Sequence, residues 1–143
     1  MRRIETSIDI AAPPASVWDV LVDFDRYGAW NPFIRELQGE ARVGARLKVT
    51  VQPDGGRAMS FRPTVRAVDR DRELRWLGHM FVPGLFDGEH SFRLEQTKAG
   101  CRFHHGERFS GLMVPMFGAM FPGIERGFIA MNQAMKQRVE RSS

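Results

Sequence analysis

Three ionisable side chains, His90, His105 and Glu107, have the residue types and spacing for acid–base chemistry. Two-residue alternation gives His90 the parity of Phe92, and gives His105 and Glu107 the parity of Phe103, so all three point toward one apolar interior. A carboxyl group beside an imidazole in an apolar cavity can act as a general acid or base near neutral pH. The pattern therefore predicts a candidate proton-transfer site.

A structural role is the alternative for the same residues. Glu107 could pair with an arginine, and either histidine could hydrogen-bond a backbone carbonyl near the cavity mouth. Because His105 and Glu107 are two residues apart on one strand, we expect a direct bond or a bridging water between them.

Other kinds of chemistry lack their motifs. The sequence has no glycine-rich phosphate loop, no Gly-x-Ser-x-Gly elbow and no His-Glu-x-x-His pair. His104 and His105 are adjacent on a predicted strand, so they face opposite ways and cannot chelate one ion. Cys101 is the single cysteine and has no activating partner in the sequence. We predict no metal and no fixed cofactor.

The segment that carries the candidate residues alternates with a period of two from Phe33 to Ser110. Its predicted strands, each bounded by turn residues, are Ile34–Ala41, Arg46–Gln52, Ala58–Asp69, Glu73–Met80, Leu85–Glu95 and Cys101–Phe109. With an N-terminal strand over Arg3–Ile10, these elements predict a seven-stranded antiparallel meander.

Helices are predicted on both sides of this segment. Two short ones follow the first strand, the first beginning at Pro14 or Ser16 and the second ending before Pro32. A long one covers Val114–Glu140, and we expect Pro122 to kink it. Its apolar stripe recurs at spacings of four and three residues and consists of Phe117, Phe121, Ile124, Phe128, Met131 and Met135. Such a stripe suits either a plain core or a surface that also contacts a ligand.

Two stretches in this order of elements resemble the START-related superfamily (SRPBCC) of polyketide cyclases, birch-pollen-allergen-like proteins and lipid carriers. They are Ile8-Asp9-Ile10-Ala11-Ala12-Pro13-Pro14-Ala15-Ser16-Val17-Trp18-Asp19-Val20-Leu21 and Tyr27-Gly28-Ala29-Trp30-Asn31-Pro32-Phe33. The chain looks like a polyketide cyclase/dehydrase-type member. The resemblance covers essentially the whole chain and implies one domain over residues 1–143 with the α+β helix-grip fold. In that fold a curved seven-stranded antiparallel sheet wraps a long C-terminal helix and leaves a deep hydrophobic cavity.

The resemblance also implies where a ligand binds. The corresponding positions lie on the inner face of the sheet and on the helix stripe, and they are Trp30, Phe33, Phe61, Trp76, Phe92, Phe103, Phe117, Phe121 and Phe128. Strand alternation adds His90, His105 and Glu107 to the expected ligand-binding residues, and the helix stripe adds Ile124. The first expected function is binding of a small hydrophobic molecule, such as a lipid, polyketide or isoprenoid, by a carrier or sensor. The alternative is a polyketide cyclase or dehydratase-like enzyme that uses His105 and Glu107, with His90 as a further candidate. A third is a membrane-peripheral or chaperone-assisting module whose contact surface is the uncharged stretch Leu112–Phe121.

Composition restricts the partners further. Of the 143 residues, 43% are hydrophobic and 27% are charged, which is typical of a soluble globular protein. The net charge of +4 comes from 21 Lys and Arg against 17 Asp and Glu. These charges alternate along strands instead of forming a block, which argues against nucleic-acid binding and allows a weak attraction to anionic membrane surfaces. The N-terminus has no long apolar run, and we expect a cytoplasmic location.

Overall fold

The computed structural model describes residues 1–142, in which a run of strands lies between short helices and one long helix. In chain order they are β1 (Arg2–Ile10), α1 (Pro14–Leu21), a 3-10 helix (Phe24–Arg26), α2 (Tyr27–Trp30), β2 (Ile34–Gln38), β3 (Lys48–Val51), β4 (Met59–Phe61), β5 (Thr64–Asp69), β6 (Glu73–Met80), β7 (Phe86–Thr97), β8 (Gly100–Ser110), a second 3-10 helix (Val114–Met120) and α3 (Phe121–Arg141). This is the predicted order of one strand, two short α-helices, a run of strands and one long helix.

The strands form two antiparallel sheets, with the orders β1-β8-β7-β6-β5 and β2-β3-β4. In place of seven strands there are eight in residues 1–142, because the strand predicted over Ala58–Asp69 is divided at Pro63. Proline has no N–H to donate to a ladder, so strand pairing is interrupted at Pro63. On either side of this interruption, β4 pairs with β3 and β5 pairs with β6. The two sheets stay joined by an isolated bridge between Arg46 and Thr64 and by the bond from Leu47 N to Pro63 O (2.8 Å).

Asn31 determines where the short helices give way to the strands. After α2 ends at Trp30, the side-chain oxygen of Asn31 accepts hydrogen bonds from the backbone N–H groups of Phe33 (2.9 Å) and Ile34 (2.8 Å). These bonds turn the chain directly into β2. β2 begins at Ile34 as predicted but ends at Gln38 instead of Ala41, and β3 covers only Lys48–Val51 of the predicted strand Arg46–Gln52.

The long helix begins at Phe121 and not at Val114. Pro122 lies in its first turn, where the N–H that proline lacks would have no helical partner, so the proline starts the helix and the predicted kink is absent from α3. The preceding residues Val114–Met120 form the separate 3-10 helix, and the backbone of Phe117 leaves helical geometry there. Phe117 therefore does not continue the α3 stripe.

The stripe of α3 packs against the inward face of the five-stranded sheet. Phe128, Met131 and Met135 are fully buried, and the Phe128 ring stacks on the ring of His105 from β8 at 4.0 Å between centroids. Burial of each such side chain is worth about 1.5–3 kcal/mol. The sheet and the helix it holds confirm the helix-grip fold. No helix within residues 1–142 is long and apolar enough to cross a bilayer.

Candidate functional site

A small apolar cavity lies between the two sheets and the start of α3. Gly78 of β6 and Gly88 of β7 pair directly across the sheet and share the inward parity of Trp76 and His90. Neither glycine has a side chain, so the inner face of the sheet carries no side chain at these two positions. The adjacent inward positions carry the rings of Trp76 and His90. The volume of the cavity is about 70 Å³, well below the 300–1,000 Å³ that holds a drug-sized ligand.

Of the predicted ligand-binding residues, Phe33, Phe61, Trp76, His90, Glu107 and Ile124 line this cavity. The others lie elsewhere. Phe92, Phe103, His105, Phe121 and Phe128 are buried in the surrounding core, while Trp30 and Phe117 are half-buried and pack against Tyr27 and Phe86.

Several lining residues were missed by the sequence analysis. They include Ile34, Val49, Val51, Met59, Met80, Phe86, Phe109 and Met120. Phe86 and Phe109 have the inward parity of the predicted set, and a glycine inside a strand often marks close approach of another group. Gly78 and Gly88 were therefore the sequence signals for the position of the cavity.

Glu107 is the carboxylate at the cavity wall. It lies on β8 directly opposite His90 of β7, and its Oε1 is 3.3 Å from His90 Nδ1. The Glu107 side chain is 16% exposed and that of His90 is 5% exposed, so the pair is nearly removed from water. A β-carbon at Gly88 would collide with Glu107 Oε2, which shows that this glycine makes room for the carboxylate.

His105 lies behind this pair, away from the cavity. Its Nε2 is 2.8 Å from His90 Nε2, and its Nδ1 is 2.9 Å from Asn132 Oδ1 on α3. The predicted bond between His105 and Glu107 is not among the contacts of residues 1–142, and His90 stands between them. The reason is geometric, because directly opposed residues on paired strands are closer than residues two apart on one strand.

Asn132 is a further residue of the site that the sequence analysis missed. It is fully buried and its Nδ2 donates to the hydroxyl of Thr6 on β1 (2.8 Å), which donates in turn to the backbone oxygen of His105 (2.8 Å). Asn132 follows Phe128 by four residues, so helical periodicity placed this amide on the buried face of α3.

The chain of hydrogen bonds fixes the protons in this network. A carbonyl only accepts, so the Thr6 hydroxyl donates to it and accepts from Asn132 Nδ2, which turns Asn132 Oδ1 toward His105. His105 must then donate from Nδ1, and its Nε2 is an acceptor when the ring is neutral. His90 consequently donates from Nε2.

The contact at the cavity end of the network is the one between His90 and Glu107. With its proton on Nε2, a neutral His90 presents a lone pair at Nδ1 to Glu107 Oε1. Two acceptors do not attract each other, so a hydrogen bond across this 3.3 Å contact would require one further proton, on the carboxyl oxygen or on the imidazole. Glu107 and His90 are the acid–base pair at the cavity wall between which such a proton would lie.

The neutral state of His105 has independent support. Burial holds the pKa of His105 well below its usual range, the neighbouring His90 lowers it further, and the bond to Asn132 opposes the shift only in part. Within residues 1–142, no three His, Cys, Asp or Glu side chains are placed to hold a metal ion.

The model of the family described as "Polyketide cyclase / dehydrase and lipid transport" matches residues 1–141. Comparison with curated proteins gives no match.

Similar solved structures have the same fold. The Zhui aromatase/cyclase from Streptomyces sp. R1128 is 19% identical, with a TM-score of 0.79 over 98% of this chain and 94% of that chain. Protein MLL2253 from Mesorhizobium loti is 19% identical, with a TM-score of 0.76 over 99% of both chains. Ara h 8.0201 is 17% identical, with a TM-score of 0.72 over 98% of both chains. The match of the family model over nearly the whole sequence shows that this chain belongs to the polyketide cyclase/dehydrase and lipid transport family of the START-related superfamily.

Proposed function

We propose that the protein binds a small, flat, apolar molecule that carries one polar oxygen. The observation behind the proposal is an apolar cavity with a single carboxyl group, whose side chain is 16% exposed, in its wall. Glu107 is the only carboxylate among the described lining residues, and Phe33, Trp76 and Ile124 supply apolar surface. A carbonyl or hydroxyl oxygen of the ligand would bond Glu107, and the rest of the ligand would contact these side chains.

The cavity volume limits the size of the ligand and requires the wall to move. At about 70 Å³ the cavity is too small for a bicyclic molecule, so a ligand must displace side chains as it enters. Met59, Met80 and Met120 line the cavity and have unbranched, adaptable side chains. We infer that these methionines yield to a ligand of one to two fused rings, such as an aromatic, polyketide or isoprenoid compound.

Binding can be tested by filling the cavity without touching Glu107. Gly78→Val adds three carbon atoms to the wall, and its β-carbon would meet Pro63 only at an ordinary 3.5 Å. Ala130→Leu adds three carbon atoms at an exposed position of α3 and is the matched control. We expect the wild type and Ala130→Leu to bind a fluorescent naphthalene dye, and Gly78→Val to bind it at least about tenfold more weakly.

Native mass spectrometry followed by organic extraction would identify a passenger acquired in the expression host. A wild-type protein with no passenger and no dye binding would contradict the proposal. Equal dye affinity of Gly78→Val and the wild type would also contradict it, because the ligand would then bind outside the cavity.

A proton-transfer enzyme is the second candidate, and the 3.3 Å contact between Glu107 Oε1 and His90 Nδ1 at the cavity wall is the observation that favours it. An ionised Glu107 could remove a proton from the carbon beside a ketone, and the protonated group could return it to a leaving hydroxyl in a dehydration. His90, and not His105 as the sequence analysis expected, would be the partner of Glu107 in this reaction.

Deuterium incorporation into tetralone, an enolisable bicyclic ketone, would measure this activity in heavy water. Glu107→Gln keeps the size and hydrogen bonding of the side chain but removes the proton acceptor, so we expect it to abolish exchange. Glu89→Gln, which removes a carboxylate bonded to Arg75, is the control. Equal exchange rates in the wild type and Glu107→Gln would exclude Glu107 as the base.

A further inference from the structure

Two neighbouring loops expose large apolar side chains at the end of the molecule where the cavity lies. The loop between β6 and β7 exposes 61% of Phe81 and 59% of Val82, and the segment after β8 exposes 82% of Leu112 and 75% of Met116. We call these four side chains the apolar tip. Exposed apolar residues that occur singly need no explanation, but a group this prominent usually marks an interaction site.

The apolar tip has a fixed shape because the two loops are bonded to each other. Leu112 N donates to Gly84 O at 3.2 Å, and Met113 N donates to Leu85 O at 2.8 Å. The rings of Phe81 and Phe117 stack with their centroids 6.4 Å apart. Phe81 also adopts a φ of 69°, a left-handed conformation that residues other than glycine seldom occupy. The Phe81 side chain is thus held exposed to water, although its left-handed backbone conformation is unfavourable for a residue with a side chain.

A basic groove adjoins the apolar tip. Its lining combines Phe81 and Pro83 with the cations Arg46, Lys48 and Arg62, and the volume of this open groove is about 630 Å³. No carboxylate lines this groove in the part of the chain that the structure describes.

The cations of the groove are largely available to a partner. Lys48 pairs with Glu36 at 3.4 Å, and Arg46 donates from Nε to the backbone oxygen of Arg62 at 3.1 Å. Within residues 1–142, neither Arg46 nor Arg62 has a carboxylate within 4.0 Å. The surface therefore combines exposed apolar side chains with uncompensated positive charge.

We propose that the apolar tip and the basic groove bind the surface of an anionic lipid bilayer. The four side chains of the apolar tip would enter the boundary between head groups and acyl chains, where apolar side chains leave water. The guanidinium groups of Arg46 and Arg62 would contact lipid phosphates, which they can bind with two donors each. The combination favours a bilayer over a second copy of the chain, because two identical basic grooves repel each other.

The proposed docking surface is continuous with the cavity. Met59, Phe61 and Met80 line both the basic groove and the cavity. A molecule dissolved in the bilayer would meet this shared wall first on its way to Glu107. The docking itself requires only the exposed surface, so it can be correct even if no ligand enters the cavity.

Co-sedimentation with vesicles tests the proposal. The vesicles are phosphatidylcholine alone, or three parts phosphatidylcholine to one part phosphatidylglycerol. The wild type should bind the anionic vesicles at least about tenfold more tightly than the neutral ones, and raising the salt from about 0.1 M to about 0.5 M should weaken this binding.

Two double variants separate the two parts of the surface. Leu112→Ser with Met116→Ser should lower the affinity for anionic vesicles by roughly tenfold or more, through loss of apolar insertion. Arg46→Gln with Arg62→Gln should lower it about fivefold for each arginine removed and should reduce the salt dependence. Ile129→Ser removes an apolar side chain that is 47% exposed on α3, so it is the matched control and should bind as the wild type does.

Three outcomes would overturn the proposal, once thermal melts show that each variant is folded. They are absence of binding to anionic vesicles, equal binding to neutral and anionic vesicles, and wild-type binding by the Leu112 and Met116 variant. Sedimentation velocity adds a fourth. A wild-type dimer that this variant dissociates would assign the apolar tip to a second copy of the chain.

Discussion

Acid should destabilise the native state through His105. The ring is fully buried and neutral, and its pKa is held well below the ordinary value by burial first and by His90 second. In the unfolded chain the same imidazole takes up a proton near pH 6.5. A group with a lowered pKa in the folded state contributes stability that is present above the unfolded pKa and is lost as pH falls below it, because the unfolded state then binds more protons.

The size of the effect follows from one proton. If the folded ring stays neutral down to pH 5, integrating the proton difference between pH 7 and pH 5 gives a loss of about 2 kcal/mol. For a chain of 143 residues this corresponds to a fall of roughly 4–8 °C in melting temperature. The His105→Gln variant cannot take up this proton, so its stability should fall by about 2 kcal/mol less than that of the wild type over the same range.

Two measurements check this prediction. Urea unfolding at pH 7 and pH 5 gives the stability difference for the wild type and for His105→Gln, and each protein serves as its own reference. Nitrogen chemical shifts of the histidine rings report the charge of His105 directly and should show a neutral ring protonated at Nδ1 at both pH values. A His105 ring that titrates near pH 6.5, or equal acid losses in the two proteins, would refute the reasoning.

Other changes test the core and the hydrogen-bond network. Phe128→Asp should prevent cooperative thermal unfolding, because it buries an unpaired charge, whereas Ile129→Asp at a 47% exposed position should melt as the wild type does. Asn132→Leu should cost about 1–3 kcal/mol in urea unfolding and should move its histidine partner to the other ring tautomer, which nitrogen chemical shifts would detect. At pH 7, Glu107→Gln should keep its melting temperature nearly unchanged, because an amide N–H can donate to His90 Nδ1 without any shared proton. Glu107→Ala should have a lower melting temperature, and calorimetry would measure both variants. Equal decreases in melting temperature would argue against a proton shared between Glu107 and His90.

Much of the fold was predictable because it depends on local periodicity. The alternation of apolar and polar residues from Phe33 to Ser110 and the apolar stripe from Phe121 to Met135 identify which face of each element is buried. The division at Pro63 and the start of α3 at Phe121 depend on single prolines, whose effect changes with position. A proline that interrupts a helix at one position begins it at another, and periodicity alone does not separate the two cases.

The sequence predicted which side chains of the candidate site face the interior, but not which of them contact each other. Strand parity placed His90, His105 and Glu107 on the inner face, and their cross-strand register then decided that His90 contacts both of the others. Register depends on turn geometry and on the packing of the whole sheet, so a single strand pattern does not determine it. Asn132 belongs to a helix packed across the sheet, and only the tertiary structure brings it to His105.

The two candidate functions depend on the same proton. A ligand carbonyl at the cavity wall needs a donor, and an isolated buried carboxylate would first have to take a proton from solvent through an apolar channel. We propose that Asn132 and His105 orient His90 so that a proton between its Nδ1 and Glu107 Oε1, which are 3.3 Å apart, supplies this donor. A carrier would use it to bond the ligand oxygen and retain it. An enzyme would use it to complete a transfer that began with removal of a carbon-bound proton, so the chemistry of the bound molecule, and not a different site, would separate binding from turnover.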